Sequence, residues 1–322
     1  AIARANEGAV LAYGDDPWAR QAEGAVDDLF GRHVETFLCW GGTGANVVGL
    51  ASVLQPHQCI LTVGTAHIVV DECGAPVRFT GSTLQTVPHQ DGKLVPGSLD
   101  PFVHWLGSEH HPQPAVVSIS QATEMGTCYE TEEIAAICDA AHAHGMLVHL
   151  DGARIANAVV ASGGSLSSMV TDTGVDVMTL GMTKNGAMYG EAVVFLRPEL
   201  ADRARFVRKQ AGQLSSKSRY IAAQLLALLE DDLWLRNARH ANDMALRLAE
   251  LAAQIPEVQV TRSPQVNSLF VRLPAERIGI LQDWSFFWDW DLTDSLVRWM
   301  TSWATTTDDV DTFAAGVARL PG

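Results

Sequence analysis

Lys184 follows an apolar run at 175–180 and lies among small, turn-forming residues in the segment 181–187. A lysine at the end of a strand has little positional freedom. In a partly desolvated pocket its amine has a lowered pKa and can attack a carbonyl carbon to form a Schiff base. The alternative is a solvated lysine without a chemical role, because lysines are mostly exposed. Other polar residues that follow strands decide between these two interpretations.

Asp151 and Arg154 follow the apolar run at 146–150, and open α/β sheets place ligand contacts at the carboxyl ends of their strands. An aspartate there can pair with a protonated ring nitrogen and keep it cationic, which strengthens pyridoxal phosphate as an electron sink. Arg154 can bind a substrate carboxylate through two parallel hydrogen bonds. Alternatively, the two residues cap the next helix and pair with each other.

A glycine-rich turn, Gly41-Gly42-Thr43-Gly44, separates an apolar strand at 34–40 from an apolar helix at 45–54. Exposed N–H groups at the start of a helix can hold a phosphate, so Gly42, Thr43 and Gly44 are candidate phosphate ligands. The turn matches neither the GxGxxG dinucleotide pattern nor the GxxxxGK[ST] P-loop. A nicotinamide enzyme is therefore the weaker interpretation, and a purely structural turn is a further alternative.

Histidines supply one more candidate. His67 follows the strand at 59–63, where its imidazole can lie flat on a cofactor ring or act as a packing residue that bonds to the backbone. His142, His144 and His149 suggest zinc, but the first two end a helix, the third enters a strand, and no HExxH motif is present. We therefore expect no metal site.

Strands and helices alternate through the first two thirds of the chain. We predict strands at 34–40, 59–63, 77–79, 115–120, 146–150, 175–180 and 192–196, with helices between several of them, notably at 132–144. This alternation predicts an α/β fold built on a mostly parallel sheet of seven strands covered by helices.

The pattern changes after residue 198. Helices at 199–231 and 233–254 precede short strands within 258–273, 284–291 and 297–303, which predicts a smaller α+β domain. We place the large domain at 1–230 and the small domain at 231–322. Residues 1–10 resemble the end of a helix, so we expect further residues before them.

Composition limits the possible partners. The formal net charge of −15 argues against nucleic acid and anionic membranes, because both repel an acidic protein. Five cysteines without a CxxC pair predict a reducing compartment, the cytoplasm. The sequence contains neither an apolar run of about eighteen residues nor a signal-peptide pattern, so we predict no membrane association.

The glycine turn, His67, Asp151 and Lys184, in this order, resemble the L-threonine aldolases of the β-eliminating lyase group, within the aspartate-aminotransferase-like (fold type I) enzymes. The resemblance covers nearly the whole chain. The matching segments are 13–17, 42–46, 66–67, 149–154, 183–186 and the region from 297 onward. It implies pyridoxal 5'-phosphate as the cofactor, a fold type I large domain with a smaller C-terminal domain, and a homotetramer built as a dimer of dimers.

The resemblance also implies a role for each candidate that binds the cofactor. Lys184 would form the Schiff base, Asp151 would pair with the ring nitrogen, and His67 would stack on the ring. Gly42, Thr43 and Gly44 would hold the phosphate, and Arg154 would contribute to the cofactor site.

Further implied roles concern the substrate. Arg154 and Arg298 would bind its carboxylate, and Tyr13 with the stretch 217–219 would serve the neighbouring subunit's site. Glu124 stands where several family members have a second histidine, so His67 and Glu124 are the two candidate catalytic bases for the β-hydroxyl proton. The family also supplies a serine to the substrate carboxylate from an N-terminal segment, which we expect to lie before residue 1.

The implied reaction is retro-aldol cleavage of L-threonine, L-allo-threonine or another β-hydroxy-α-amino acid such as phenylserine to glycine and an aldehyde. The alternatives are a pyridoxal-phosphate-dependent β-elimination or transamination, an NAD(P)-binding oxidoreductase and a non-enzymatic scaffold. The aromatic stretch 284–290 either lines a pocket for aromatic substrates or belongs to the core of the small domain, and we favour the core.

Overall fold

A seven-stranded sheet lies at the centre of the computed structural model, which describes residues 1–319. Its strands are β1 (Glu35–Cys39), β2 (Gln58–Val63), β3 (Thr83–Val87), β4 (Gln113–Ser120), β5 (Leu147–Gly152), β6 (Val177–Leu180) and β7 (Glu191–Phe195). They are arranged in the order β1-β7-β6-β5-β4-β2-β3. Strand β7 is antiparallel to both of its neighbours, and the other pairings are parallel. Six strands therefore end at the same edge of the sheet, where β7 begins.

Both faces of this sheet are covered. Ala192 and Val194 of β7 belong to one apolar cluster, whereas Val193 and Phe195 belong to another. Successive side chains of a strand point to opposite faces, so a strand whose residues are all buried must have packing on both sides. This arrangement confirms the predicted α/β class and the mostly parallel sheet.

One predicted strand is wrong. Residues 77–79 lie in a helix, Ala75–Thr80, which has Pro76 near its start and ends at Gly81 with φ of 71°. Proline favours the first turn of a helix and a left-handed glycine ends one. The sheet nevertheless has seven strands, because β3 follows this helix and forms one edge of the sheet.

The described part of the chain has ten α-helices up to residue 229. Two precede β1, six lie between strands of the large sheet, and two follow β7. They are α1 (Ile2–Ala5), α2 (Pro17–Phe30), α3 (Gly42–Val53), α4 (His67–Val70), α5 (Ala75–Thr80), α6 (Asp100–Val103), α7 (Thr131–Ala143), α8 (Ile155–Ser162), α9 (Ala204–Gln210) and α10 (Arg219–Leu229). Local sequence sets the limits of α2: Asp16 Oδ1 accepts a hydrogen bond from Ala19 N at 2.9 Å, and Gly31 closes the helix at φ of 67°.

The last third of the chain forms a second sheet. It contains β8 (Gln259–Val260), β9 (Ser268–Arg272), β10 (Trp288–Asp291) and β11 (Leu296–Met300), in the order β10-β11-β9-β8, with helices α11 (Leu233–Ala252), α12 (Ala275–Trp284) and α13 (Thr307–Arg319). Helix α11 bridges the two cores, because Trp234 and Ala238 pack in the core of the large sheet and Leu248 and Ala252 pack in that of the small sheet.

The predicted strand at 284–291 is only half right, since Trp284 ends α12 and the strand begins at Trp288. Within residues 1–319, no helix is both long and apolar enough to cross a membrane.

Candidate active site

Lys184 lies at the carboxyl edge of the large sheet, in a short turn (Thr183–Asn185) that follows β6. The chain reaches this turn by passing very close to the end of β5. A Cβ on Gly181 would lie 2.5 Å from the carbonyl oxygen of Ala153, and Gly181 N donates a hydrogen bond to Gly152 O at 3.1 Å. Only glycine permits this approach of two backbones, and it brings the Lys184 turn beside the end of the strand that carries Asp151.

The Lys184 side chain is exposed and lines a cavity. Burial and the positive charge of Arg154 lower the pKa of this amine, and the nearby carboxylates of Asp151, Glu191 and Glu124 act in the opposite direction. A lysine with a lowered pKa keeps a larger share of its amine unprotonated and nucleophilic.

Asp151, near the end of β5, is buried, and both of its carboxylate oxygens accept hydrogen bonds. Its Oδ1 accepts from Ala153 N at 3.0 Å and its Oδ2 accepts from Asn46 Nδ2 at 2.8 Å. Burial alone would raise the pKa of Asp151. The hydrogen bond from Asn46 and the positive charge of Lys184 outweigh it, so the pKa is lowered and the carboxylate stays ionised.

The alternative in which Asp151 and Arg154 cap the next helix is wrong. Helix α8 has no side-chain cap, and no ion pair within residues 1–319 joins the two residues.

Gly42, Thr43 and Gly44 form the first turn of helix α3, directly after β1. The first N–H groups of a helix have no partner within it and can bind an anion. This turn is tied to the Lys184 turn by two hydrogen bonds: Gly190 N donates to Trp40 O at 3.1 Å, and Thr183 Oγ1 donates to Gly190 O at 3.1 Å. The glycine turn therefore adjoins the other candidate residues.

His67 begins α4, just beyond the end of β2. Its Nδ1 lies 2.9 Å from Oε1 of Glu72, whose side chain is completely buried, and about a third of the imidazole is exposed. The hydrogen bond with Glu72 raises the pKa of His67 against the lowering effect of burial. If His67 were a packing residue, its ring would bond to the backbone. Its partner is instead the carboxylate of Glu72.

Glu124 follows β4 and is buried. Its Oε1 accepts from Ser120 Oγ at 3.2 Å, whereas Oε2 is buried with no hydrogen-bond partner among the residues described. Burial raises the pKa of Glu124, and the charge of Asp151 adds to the effect. Arg154 and His67 are close enough to oppose it, so Glu124 shares the site with both.

Arg154 and Arg298 line one cavity of about 510 Å³ together with Lys184. Arg298 comes from β11 of the small sheet, and its guanidinium lies 5.0 Å from the centre of the Trp290 ring. Its Nε is buried without a partner in the described structure. Two arginines that share a cavity form a site suited to a carboxylate.

The aromatic stretch is divided between core and cavity. Phe287 is buried in the core of the small sheet, as expected, but Phe286 and Trp288 are 67% and 63% exposed and line the Lys184 cavity. The prediction that the whole stretch belongs to the core is therefore wrong for these two residues.

Three site residues were not predicted from the sequence: Asn46, Glu72 and Glu191. Glu191 begins β7, is buried, and accepts a hydrogen bond from Met182 N at 2.5 Å, two residues before Lys184. Burial raises the pKa of Glu191 to about 7. The nearest sequence signal was its position directly before an apolar strand.

Two further candidates lie away from this cluster. Tyr13 is half exposed, with its ring centre 5.3 Å from Lys209 Nζ. Lys217 is exposed, whereas Arg219 is buried and donates to Gly8 O at 3.2 Å. Across the described part of the chain, no group of three or more histidine, cysteine, aspartate and glutamate side chains is arranged to hold a metal ion.

Comparison with known proteins gives a consistent result. A family model described as "Beta-eliminating lyase" matches residues 1–276. A low specificity L-threonine aldolase of Pseudomonas aeruginosa is 38% identical over 325 residues, which cover 100% of this chain and 93% of that protein. A second, from another Pseudomonas strain, is 38% identical over 99% of this chain and 93% of its own length.

Solved structures agree with the sequence comparison. A threonine aldolase of Leishmania major superposes with a TM-score of 0.91 at 30% identity, covering 99% of this chain and 94% of that one. An aspartate aminotransferase of Rhodobacter sphaeroides matches with a TM-score of 0.72 at 18% identity, over 99% of this chain and 86% of its own. At that identity the match concerns the fold alone, and this fold is the expected aspartate-aminotransferase type.

Proposed function

The chain belongs to the β-eliminating lyase family, and from that premise we propose that it is a pyridoxal-phosphate-dependent aldolase that cleaves L-threonine and related β-hydroxy-α-amino acids. The products are glycine and an aldehyde. The observation that carries the proposal is that Lys184, Arg154 and Arg298 line one cavity while the buried carboxylate of Asp151 lies beside it. An amine, two guanidiniums and a carboxylate at one site are what an amino acid and a pyridine cofactor require.

The residues present fit pyridoxal phosphate. Asp151 is an ionised, fully hydrogen-bonded carboxylate suited to a protonated ring nitrogen. The first turn of α3 offers the N–H groups of Gly42, Thr43 and Gly44 to a phosphate. Lys184 supplies an accessible amine with a lowered pKa that would bond to the cofactor's aldehyde carbon. When bound, the cofactor supplies an electron sink for the pair of electrons left on Cα by bond cleavage.

The chain's own residues then bind the substrate and move its protons. Arg154 and Arg298 hold the substrate carboxylate, with one arginine from each sheet, so that binding fixes the small sheet against the large one. The β-hydroxyl loses its proton as the Cα–Cβ bond breaks, and Cα gains a proton to give glycine. We assign the exchange of these protons to His67, at Nε2, and to Glu124, at the unpartnered Oε2.

The base must be unprotonated to accept the hydroxyl proton. Burial raises the pKa of Glu124, so its carboxylate becomes more basic than an exposed glutamate. The hydrogen bond with Glu72 raises the pKa of His67. Each unprotonated group is thereby a stronger base than it would be with its ordinary pKa.

The cavity walls support a broad range of substrates. Phe286, Trp288 and Trp303 line the cavity that contains Lys184, and each is substantially exposed there. Aromatic rings provide a large apolar surface for a β-substituent. We therefore include β-hydroxy amino acids with aromatic side chains, such as phenylserine, among the proposed substrates.

The assembly, location and domain limits are part of the same proposal. We propose a homotetramer built from dimers, in which the exposed Tyr13 and Lys217 reach a neighbouring subunit's site. We also propose a cytoplasmic protein with a large domain at 1–230 and a small domain at 231–322. The separate apolar core around β9 and β11 supports that division.

Product analysis tests the reaction. Purified enzyme with added pyridoxal phosphate is incubated with L-threonine, L-allo-threonine and L-phenylserine, and glycine and aldehyde are measured. We expect equal amounts of glycine and aldehyde from each productive substrate. Ammonia with a keto acid would instead identify β-elimination, and a keto acid with an aminated acceptor would identify transamination.

The variant Lys184→Ala tests the site. We expect it to lose turnover and the visible absorbance of the bound cofactor. Its far-ultraviolet circular dichroism, which reports the backbone fold, should be unchanged. Lys93→Ala is the matched control, because Lys93 forms an ion pair with Glu133 at 2.6 Å instead of lining the cavity. Retained turnover in Lys184→Ala would refute the assignment.

A further inference from the structure

A buried carboxylate, Glu72, supports the imidazole at the active site. It follows α4 by two residues, and its Oε1 accepts a hydrogen bond from Asn46 Nδ2 at 2.8 Å and lies 2.9 Å from His67 Nδ1. Its side chain is completely buried, and Oε2 has no hydrogen-bond partner in the described structure. A buried acidic group is costly to keep unless it is hydrogen-bonded or has a function.

The amide of Asn46 has only one orientation that satisfies its neighbours. Thr179 Oγ1 donates to Asn46 Oδ1 at 2.7 Å, so the amide nitrogen must point to the other side. There its two hydrogens serve two carboxylates, Glu72 Oε1 and Asp151 Oδ2, each at 2.8 Å. Asn46 therefore joins the carboxylate behind His67 to the carboxylate at the centre of the site.

These contacts determine which nitrogen of His67 carries a proton. An amide N–H can only donate, so Glu72 Oε1 is an acceptor in the contact with Asn46. The oxygens of an ionised carboxylate are acceptors only, so with Glu72 ionised the contact of the same oxygen with His67 Nδ1 is a hydrogen bond that Nδ1–H donates. Nε2, to which no described group hydrogen bonds, is left as the nitrogen that gains or loses a proton.

We propose that Glu72 is a positioning residue that acts through His67: it keeps Nδ1 protonated and makes Nε2 the atom that exchanges a proton with the substrate. Asn46 holds Glu72 in place and links it to Asp151. This inference rests on the proposed aldol cleavage for its kinetic consequence, but its structural part concerns the protein alone.

Four charged groups act on His67. Glu72 forms the hydrogen bond and favours the protonated ring, Asp151 favours it through its charge, and Lys184 disfavours it. Glu124, after β4, is close enough to the same imidazole to interact with it through charge. The hydrogen bond with Glu72 is the largest of the effects on the His67 pKa, so removing its charge is expected to have the clearest consequence.

Nuclear magnetic resonance of protein labelled with ¹³C at histidine Cε1 tests the structural part without turnover. The His67 signal is identified by its absence from His67→Phe. We expect the wild-type pKa of His67 to lie above the ordinary value of 6.5. Glu72→Gln keeps the shape of the side chain and an acceptor oxygen but removes its negative charge. We expect this variant to lower the pKa of His67 by about one pH unit or more.

Kinetics of the enzyme loaded with cofactor test the functional part. We expect the acidic limb of the kcat/KM profile to move to lower pH in Glu72→Gln by the same amount as the His67 pKa, with KM nearly unchanged. The double variant His67→Phe/Glu72→Gln shows whether Glu72 acts through His67. We expect the second substitution to change kcat/KM less than about twofold in that background.

Asp176→Asn is the matched control. Asp176 is also a buried carboxylate, its Oδ2 lies 2.8 Å from His142 Nε2, and it precedes β6 at the opposite edge of the sheet from Lys184. This control is expected to alter stability without moving the acidic limb.

The results decide the proposal clearly. A wild-type His67 pKa at or below 6.5, or one that Glu72→Gln leaves unchanged, overturns it. An equally large kinetic effect of Glu72→Gln in the His67→Phe background also overturns it, because Glu72 would then act by another route. If Glu72→Gln does not fold, the wild-type titration still decides the matter. Failure of the aldolase proposal would appear separately, as wild-type enzyme that releases no glycine and aldehyde.

Discussion

The buried carboxyl of Glu191 makes the stability of this protein depend on pH in a way that can be calculated. Glu191 is 5% exposed and accepts a hydrogen bond from Met182 N beside the Lys184 turn. Burial raises its pKa from 4.5 to about 7. A carboxyl group with a higher pKa in the folded protein holds its proton more tightly there. Its contribution to stability is therefore fully present below pH 4.5 and is lost as the pH rises through about 7.

The size of the effect follows from the pKa. A rise from 4.5 to about 7 corresponds to about 3 kcal/mol, of which about 2 kcal/mol is lost between about pH 5.5 and 8.5. For a chain of 322 residues, about 2 kcal/mol corresponds to about 3 °C in the melting temperature.

Glu191→Gln isolates this contribution, because glutamine does not titrate. Melting temperatures of cofactor-free wild type and variant are compared across this pH range at one protein concentration. We expect wild type to lose about 3 °C relative to Glu191→Gln as the pH rises.

Glu133→Gln serves as the control for the Glu191 measurement. Partial burial raises the pKa of Glu133, but the hydrogen bond with Lys93 outweighs it and the pKa is lowered. The stability that Glu133 contributes is thus lost only when the pH falls below the tested range. The difference in melting temperature between wild type and Glu133→Gln should therefore stay constant across that range. A constant difference for Glu191→Gln as well, or one that changes in the opposite direction, would refute the reasoning.

Three other substitutions, the first of them with a matched control, test the site. Gly181→Ala places a Cβ 2.5 Å from Ala153 O and should destabilise the protein by about 1–3 kcal/mol in denaturant unfolding, whereas Gly24→Ala, in open space on α2, should stabilise it by about 0.5–1 kcal/mol; equal effects would contradict the close approach. Arg298→Ala should raise KM at least about tenfold in steady-state assays, through loss of a charged hydrogen bond, and an unchanged KM would exclude Arg298 from carboxylate binding. Glu124→Gln should lower kcat about 10²-fold or more if Glu124 is the base, and an unchanged kcat would leave His67 in that role.

Much of the large sheet could be predicted because its strands are apolar runs that end in polar or glycine-rich segments. The strand β3 could not, since Thr83–Val87 lies at the edge of the sheet, is half exposed, and lacks such a run. Residues 77–79 are apolar enough to suggest a strand, yet Pro76 and Gly81 enclose them in a short helix. Local end signals determined the structure there more than hydrophobicity did.

The site shows the same division. Lys184, Asp151 and His67 could be found because each lies at or just beyond the carboxyl end of a parallel strand. Asn46 and Glu72 could not, since their role depends on a hydrogen-bond network that joins residues as many as 133 positions apart. Glu191 reaches the same edge only because β7 runs antiparallel, a direction that the apolar pattern does not indicate.

The identity of the lysine that binds the cofactor tests the central claim most directly. The sequence has four lysines, at positions 93, 184, 209 and 217, so the attachment site can be assigned without ambiguity. Enzyme loaded with pyridoxal phosphate is reduced with borohydride, which makes a bond between cofactor and lysine permanent, and its peptides are analysed by mass spectrometry. We predict a pyridoxyl group on the peptide that contains Lys184 and on no other. A modification at another lysine, or at none, would contradict the account.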